Sequence, residues 1–349
     1  MKKLQDYENE IIKCSKCGLC QAVCPIFELT GNECAVSKGK FVMLSGVLKG
    51  DLQLSDKIIS YIDLCTKCEK CSKFCPAGIN AVEIFQCAKY NYLKNKPIFK
   101  LLKLFQNPFF TDKLLNFLHK FTHKPTNSNG NTGEILYFKG CVNKIFPQTE
   151  NALKKLLQKS DVNIVEAEFD CCGLPFYSSG NLERYEEAKN KNIEIIKNSC
   201  AKFLLTDCAS CENTLKNYNL GIPILKAEDF ISTLDLKFQF PKNLKIAYHK
   251  PCHADNTDFL NKILKNNDNI EFINIPETCC GLAGEFCIKN HKLSAEISKK
   301  RADEIIQSGA EIILTSCPLC EIGLKKALWS QKNFKIKVMN TLQFLNKFI

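Results

Sequence analysis

Within its first 76 residues the chain carries the pattern C-x2-C-x2-C-x3-C-P twice. The first copy is Cys14, Cys17, Cys20 and Cys24 before Pro25, the second Cys65, Cys68, Cys71 and Cys75 before Pro76. Three thiols two residues apart converge on one side of a short loop and reach three corners of an iron–sulfur cube. The fourth lies beyond that loop, and in two-cluster ferredoxins it ligates the other cluster. That rule assigns Cys14, Cys17, Cys20 and Cys75 to one [4Fe–4S] cluster and Cys65, Cys68, Cys71 and Cys24 to a second. Structural zinc takes four ligands, typically from two separated CxxC pairs, and fits a doubled triple spacing poorly.

The whole chain has 22 cysteines in 349 residues. They fall in CxxC and CC groups rather than being spread for loop stapling, and adjacent pairs such as Cys171–Cys172 make strained disulfides. The start, MKKLQDYENEIIK, lacks the apolar core and cleavage site of a signal peptide. These features point to metal ligation in a reducing cytoplasm. No run of about 18 apolar residues occurs, so no transmembrane helix is expected. The formal charge is +11. Two [4Fe–4S]²⁺ centres with four thiolates each offset about four of those charges. The remaining lysines are dispersed and match no nucleic-acid motif, so nucleic acid is not an expected partner. Neither GxGxxG nor a Walker loop is present, so no NAD, FAD or ATP site is expected, and two-electron chemistry falls to a flavin-bearing partner.

The chain divides into a ferredoxin-type domain over residues 1–95, a connector over 96–133 ending in the polar run Thr126–Gly133, and CCG-type domains over 134–240 and 241–349. The last two form a repeat. YFKGC, DCCG and LLTDCASC end or centre on Cys141, Cys172 and Cys211; YHKPC, TCCG and ILTSCPLC do so on Cys252, Cys280 and Cys320. Each copy reads as a strand (Ile135–Phe138; Ile246–Tyr248), a helix (Gln148–Gln158; Thr257–Lys265) and a strand (Val162–Val165; Glu271–Ile275). A long amphipathic helix follows (Leu182–Asn198; Lys292–Gln307), then a strand running into the CxxC (Phe203–Thr206; Ile312–Thr315). Strands alternating with helices predict multidomain α/β architecture with largely parallel sheets behind a helical ferredoxin-type domain. Sites in such sheets gather at strand ends and helix starts, where these cysteines stand.

Each copy has five candidate cofactor-binding cysteines: Cys141, Cys171, Cys172, Cys208 and Cys211, then Cys252, Cys279, Cys280, Cys317 and Cys320. Five exceed what one zinc or one cubane requires, and adjacent thiolates can reach different irons of an irregular cluster. Gly173 and Gly281 allow close backbone approach after each pair. The CxxC groups precede helix starts, where the dipole favours thiolates.

The repeat resembles the CCG domain of the B component of heterodisulfide reductase and its relatives. The whole chain resembles the glycolate oxidase iron–sulfur subunit, most closely in SKGKFVML, IDLCTKCEKCSKFCPAGI and YHKPCH. It is also similar to the C component of anaerobic glycerol-3-phosphate dehydrogenase and to lactate-utilisation iron–sulfur proteins. The resemblance covers nearly everything outside 96–133. It implies an electron-transfer subunit that receives electrons from an FAD-containing 2-hydroxy-acid dehydrogenase and passes them toward membrane quinone, at the inner face of the cytoplasmic membrane. It also implies one or two additional non-cubane [4Fe–4S] clusters at the CCG cysteines. The alternatives are heterodisulfide reductase-like thiol–disulfide reduction and the glycerol-3-phosphate dehydrogenase role. Glycolate oxidase subunits often have a degenerate last CxxC, whereas here Cys317 and Cys320 are both present.

Cys34, Cys87, Cys200 and Cys287 lie outside all motifs and are expected to be small buried hydrophobes. His253, beside Cys252, either bonds a cluster sulfur or relays a proton, or is structural; His249 is expected to be structural. The Leu/Phe/Lys-rich stretch Ile98–Phe121, broken at Pro108, has the pattern of a basic amphipathic segment that packs on protein or meets a membrane surface.

Overall fold

The computed structural model describes residues 2–100 and 134–349. The chain forms two compact units, each built from separated segments. Most of the connector, from residue 101 to 133, lies outside the described residues, and with it the expected amphipathic stretch and polar loop.

The first unit comprises Met1–Asn107, Pro175–Glu186 and Thr278–Ser298. Its framework is three helices whose apolar spacing follows the helical period. Ser37–Lys49 buries Phe41 and Leu44 and ends at Gly50, whose φ of +81° only glycine adopts cheaply. Asp56–Asp63 buries Ile58, Ile59 and Ile62. Ala81–Leu93 is capped by the Asn80 side chain, which accepts from the Glu83 N–H at 3.4 Å. Its Ile84, Phe85 and Ala88 join Leu4, Tyr7 and Ile11 in one core, against which Cys14, Cys65, Cys71 and Cys75 pack. Each fully buried side chain of this core contributes about 1.5–3 kcal/mol of apolar burial beside the cysteine loops.

The second unit comprises Pro108–Leu174, Glu187–Glu277 and Lys299–Ile349. It contains two parallel four-stranded sheets. The first has β1 (Ile135–Phe138), β2 (Val165–Glu166), β3 (Phe203–Thr206) and β4 (Ile224–Lys226) in the order β2-β1-β3-β4. The second has β5 (Leu244–Tyr248), β6 (Ile270–Ile273), β7 (Ile312–Thr315) and β8 (Lys337–Asn340) in the order β6-β5-β7-β8. Strands such as ILYF are buried throughout, as parallel strands covered on both faces must be. Tyr137 and Leu205 of one sheet share a single core with Tyr248 and Leu314 of the other.

The expected strand over Val162–Val165 is the two-residue β2, displaced toward its C-terminal end because only Val165 and Glu166 reach ladder register with Leu136 and Tyr137. The helix expected over Thr257–Lys265 is a π-type turn, Leu260–Lys265. Strands β4 and β8 extend each sheet beyond the sequence reading; both are short and carry lysine, which hides them from a hydrophobic scan.

Candidate iron–sulfur sites

The two ferredoxin-type loops are built alike. Lys16 and Lys67, each one residue before the second cysteine, have φ of +59° and +56°. Gly18 and Glu69, one residue after it, have φ of +86° and +60°. Left-handed residues on either side of the second cysteine make the backbone alternate in hand, the pattern that turns N–H groups inward in anion-binding nests. The Lys67 N–H accordingly donates to Cys65 Sγ at 3.3 Å. Lys16, Lys67 and Glu69 adopt this conformation at a cost of about 1–3 kcal/mol each, which surrounding packing must offset.

Cys14, Cys17, Cys20 and Cys75 line one small recess together with Ser37, Phe41 and Cys71. Cys65 is an electrostatic neighbour of Cys24, Cys68 and Cys71, and Cys71 of Cys24. Cys71 lines the recess of the first set as well, so the two sets of thiols adjoin. Burial pushes the Cys68 thiol up to about 12 and the Cys71 thiol up to about 11, against the pull of donors from the Lys70 backbone and the Ser37 hydroxyl. N–H and O–H donors aimed at sulfur in a desolvated pocket suit thiolates that give up their protons to iron.

The two quartets differ in access. Ser15, Lys16 and Cys17 are exposed, whereas their counterparts Thr66 and Lys67 are buried and Cys68 is half-buried. Cys279 lies in the same unit, near enough to Cys68 for its charge to add to the rise in that thiol. A square of charges around the buried Lys89 fastens the Cys279 segment here. Lys89, fully buried, pairs with Asp63 at 2.6 Å and with Glu285, while Lys289 pairs with Asp63 at 2.6 Å and Glu285 at 2.9 Å. Burial would raise the Asp63 carboxyl, but Lys89 and Lys289 hold it below its ordinary value. Gly281 follows the Cys279–Cys280 pair with φ +83°; a Cβ there would sit 2.2 Å from Ser298 Oγ and 2.7 Å from the Ser294 carbonyl oxygen. Its N–H donates to Cys279 Sγ at 3.3 Å.

In the second unit, thiols stand at the carboxyl ends of the central strands. Strand order reverses on either side of β1 and β3, and of β5 and β7, so the crevice beyond those ends is the topological switch point where ligands bind. Cys141 follows β1 and Cys208 follows β3; Cys252 and Cys317 follow β5 and β7. Cys141 contacts Cys171, which contacts Cys172; Cys172 contacts Cys211, which contacts Cys208. Cys208 in turn meets Cys317, which meets Cys320. Seven sulfurs thus form a continuous series across both repeats, and the Ala209 N–H bonds the Ser316 carbonyl at 3.0 Å between the two CxxC turns. Hydrogen bonds from Cys171 and Cys211 draw Cys172 well below the usual thiol range, and those from Cys208 and Cys320 do the same for Cys317. A Cβ on Gly140 would lie 3.3 Å from Cys211 Sγ, so glycine there gives that sulfur room.

Sequence reasoning missed several supporting side chains. Ser210 links His253 Nδ1 (3.2 Å) to Cys317 Sγ (3.8 Å), which places His253 one hydroxyl away from sulfur. Buried Asn192 accepts from the Asp170 N–H at 2.9 Å and donates to the Cys171 carbonyl at 3.1 Å, fixing the first CC turn. A polar residue on the inward face of an amphipathic helix was the available signal. Of the four cysteines outside motifs, only Cys87 is buried. Cys200 is exposed, in a left-handed turn after a helix, and Cys34 and Cys287 are partly exposed. The expectation of four buried hydrophobes is corrected for those three: Cys200 sits in a turn, Cys34 in the 3₁₀ segment Glu33–Ala35 and Cys287 in the short helix Glu285–Lys289.

Residues 10–79 match the 4Fe–4S dicluster domain family, and residues 135–216 and 246–325 match the CCG cysteine-rich domain family. The chain is a dicluster iron–sulfur protein with two CCG domains. Relatives are similar to it over most of its length at low identity. The B component of fumarate reductase (CoM/CoB) from Methanothermobacter marburgensis is 24% identical, over 99% of this chain and 74% of that protein. The D component of dihydromethanophenazine:CoB–CoM heterodisulfide reductase from Methanosarcina barkeri is 23% identical, over 90% of this chain and 88% of that protein. The glycolate oxidase iron–sulfur subunit of Escherichia coli is 23% identical, over 90% of this chain and 89% of that protein. Among the described residues, no helix of this dicluster protein is long and apolar enough to cross a membrane.

Proposed function

We propose that this protein is the electron-transfer subunit of a flavin-linked 2-hydroxy-acid dehydrogenase, carrying electrons from an FAD-containing partner toward membrane quinone at the inner face of the cytoplasmic membrane. In this reading Cys14, Cys17, Cys20 and Cys75 hold one [4Fe–4S] cluster and Cys24, Cys65, Cys68 and Cys71 a second. The ten CCG cysteines hold one or two more. When bound, such a cluster takes up and returns one electron at a time. The chain's own residues orient the thiols through left-handed turns, keep water from the inner quartet, and aim N–H donors at sulfur.

The observation that carries the reading is the gradient of access. Cys17 is exposed and open to an outside donor, whereas Cys68 is half-buried and neighbours Cys279. That order suits a relay rather than a storage site. Similarity to the glycolate oxidase iron–sulfur protein along nearly the whole of both chains supports the substrate class. Anaerobic co-purification with the flavoprotein tests it. Glycolate, D-lactate, L-lactate and glycerol 3-phosphate are added in turn, and visible absorption is followed. Bleaching by a 2-hydroxy acid is expected; bleaching by glycerol 3-phosphate alone assigns the related polyol-phosphate role, and bleaching by none refutes the relay.

A second reading, thiol–disulfide reduction at the CCG sulfurs, is favoured by the two relatives named for CoM and CoB. Reoxidation of the dithionite-reduced protein by a CoM–CoB heterodisulfide, with release of two free thiols, selects it.

A further inference from the structure

We propose that Arg301 and His249 form a positioning pair that presents an imidazole N–H to the Cys320 sulfur, so that the redox centre held by Cys320 is easier to reduce than its counterpart in the first repeat. The inference rests on the iron–sulfur reading of the CCG cysteines and is independent of the substrate.

His249, immediately after β5, has no exposed surface, and Arg301, on the helix His291–Ser308, is 1% exposed. Arg301 Nε lies 3.2 Å from His249 Nδ1. A guanidinium has only donors. Nδ1 must therefore accept, and the neutral ring carries its hydrogen on Nε2. A nitrogen of this imidazole and Cys320 Sγ lie within 4.8 Å of each other, and Nε2 is the one able to donate. Arg301 is itself held by two further bonds: Nη1 donates to the Pro276 carbonyl and to Glu304 Oε2, both at 2.8 Å. Burying a guanidinium costs several kcal/mol even when paired, which is a high cost for orienting one ring unless the ring does something.

The repeat supplies an internal control. Through the offsets that align the cysteines, Cys320 corresponds to Cys211, Arg301 to Asn192 and His249 to Phe138. Phe138 packs its ring 4.8 Å from that of Phe169, and Asn192 bonds only to the backbone of Asp170 and Cys171 among the hydrogen bonds described. The same framework therefore stands with an apolar ring in the imidazole's place. The first copy offers carbon where the second offers N–H. A hydrogen bond to a ligating sulfur stabilises the more negative, reduced state and raises the potential.

The test uses full-length protein, reconstituted anaerobically, carrying ¹⁵N-histidine. Redox titration followed by EPR gives the midpoint of each centre, and pulsed EPR detects imidazole nitrogen and exchangeable-proton couplings. In the wild type one centre is expected to show both couplings. His249→Phe, which copies the first repeat, should remove them and shift that centre's reduction equilibrium about tenfold downward, or 59 mV for one electron, leaving the others in place. Arg301→Lys keeps a donor toward Nδ1 and should restore most of the wild-type value. If His249→Phe does not load iron, His249→Gln should lose the imidazole coupling yet keep the potential through its amide N–H. The proposal is overturned if the wild type shows no imidazole coupling, if the coupling survives in His249→Phe (which assigns it to His253), or if the midpoint moves less than threefold. A protein with no EPR-active centre overturns the iron–sulfur reading as well.

Discussion

Replacing Lys89 by methionine isolates the charge square of the first unit. Methionine retains the apolar stem, which passes over Gly180 closely enough that a Cβ there would sit 2.9 Å from Lys89 Cγ. What is lost is the ammonium, with its contacts to Asp63 and Glu285 and a 3.4 Å bond to the Ser178 carbonyl. Two carboxylates then share Lys289 alone. Removing one partner of a buried pair costs about 3–5 kcal/mol because the other charge stays desolvated. Lys289 still touches both carboxylates, and its side chain is 43% exposed, so the lower end, about 3 kcal/mol, is expected. That is a roughly hundredfold rise in local opening. Native-state hydrogen exchange over Ala81–Leu93 is the suitable assay, because a chain of two units need not unfold in one step. K89M should lose about two decades of protection there and K89M/E285Q should regain part of it. Less than a fivefold loss in K89M would refute the claim that this square fastens Thr278–Ser298 to the ferredoxin-type region.

Gly281→Ala should destabilise the first unit by about 2–5 kcal/mol, from the left-handed φ and the clash with Ser294 and Ser298, and should lower iron content; an unchanged melting profile contradicts it. Cys75→Ser should perturb the same EPR signal as Cys17→Ser, and Cys24→Ser the same signal as Cys68→Ser. If Cys75→Ser instead follows Cys68→Ser, the exchange of fourth ligands is wrong. Glu150 is buried between Lys139 (2.6 Å) and Lys154 (2.8 Å), which together hold its carboxyl low against the upward push of burial. A lowered carboxylate contributes stability that is present above its unfolded value of about 4.3 and lost as pH falls through the lower folded value. The stability gap between wild type and E150Q should therefore be full at pH 6 and vanish in acid; a gap independent of pH counts against the pairing.

The sheets were legible because their strands are apolar runs between turn signals, and the repeat registers them twice. The thiols were legible because ligand spacing is written locally: Cys14, Cys17 and Cys20 need only a loop. The make-up of the first unit was not. Lys89 and Glu285 are separated by 196 positions, and no period or motif marks a lysine that will be buried against a distant carboxylate. Arg301 was hidden for a similar reason: on an amphipathic helix it reads as a solvated charge until the fold turns it inward. The continuity of Cys208 with Cys317 could be inferred from neither repeat alone, since it arises only where two copies share one core.

The first unit is finished by residues 278–298, although its cysteine loops end at residue 75. During synthesis those loops leave the ribosome some two hundred residues before the segment bearing Cys279 and Glu285 that completes their unit. Metal delivery to the amino-terminal sulfurs can thus begin on a nascent chain, but the pairing of Lys89 with Glu285 waits until most of the message has been read.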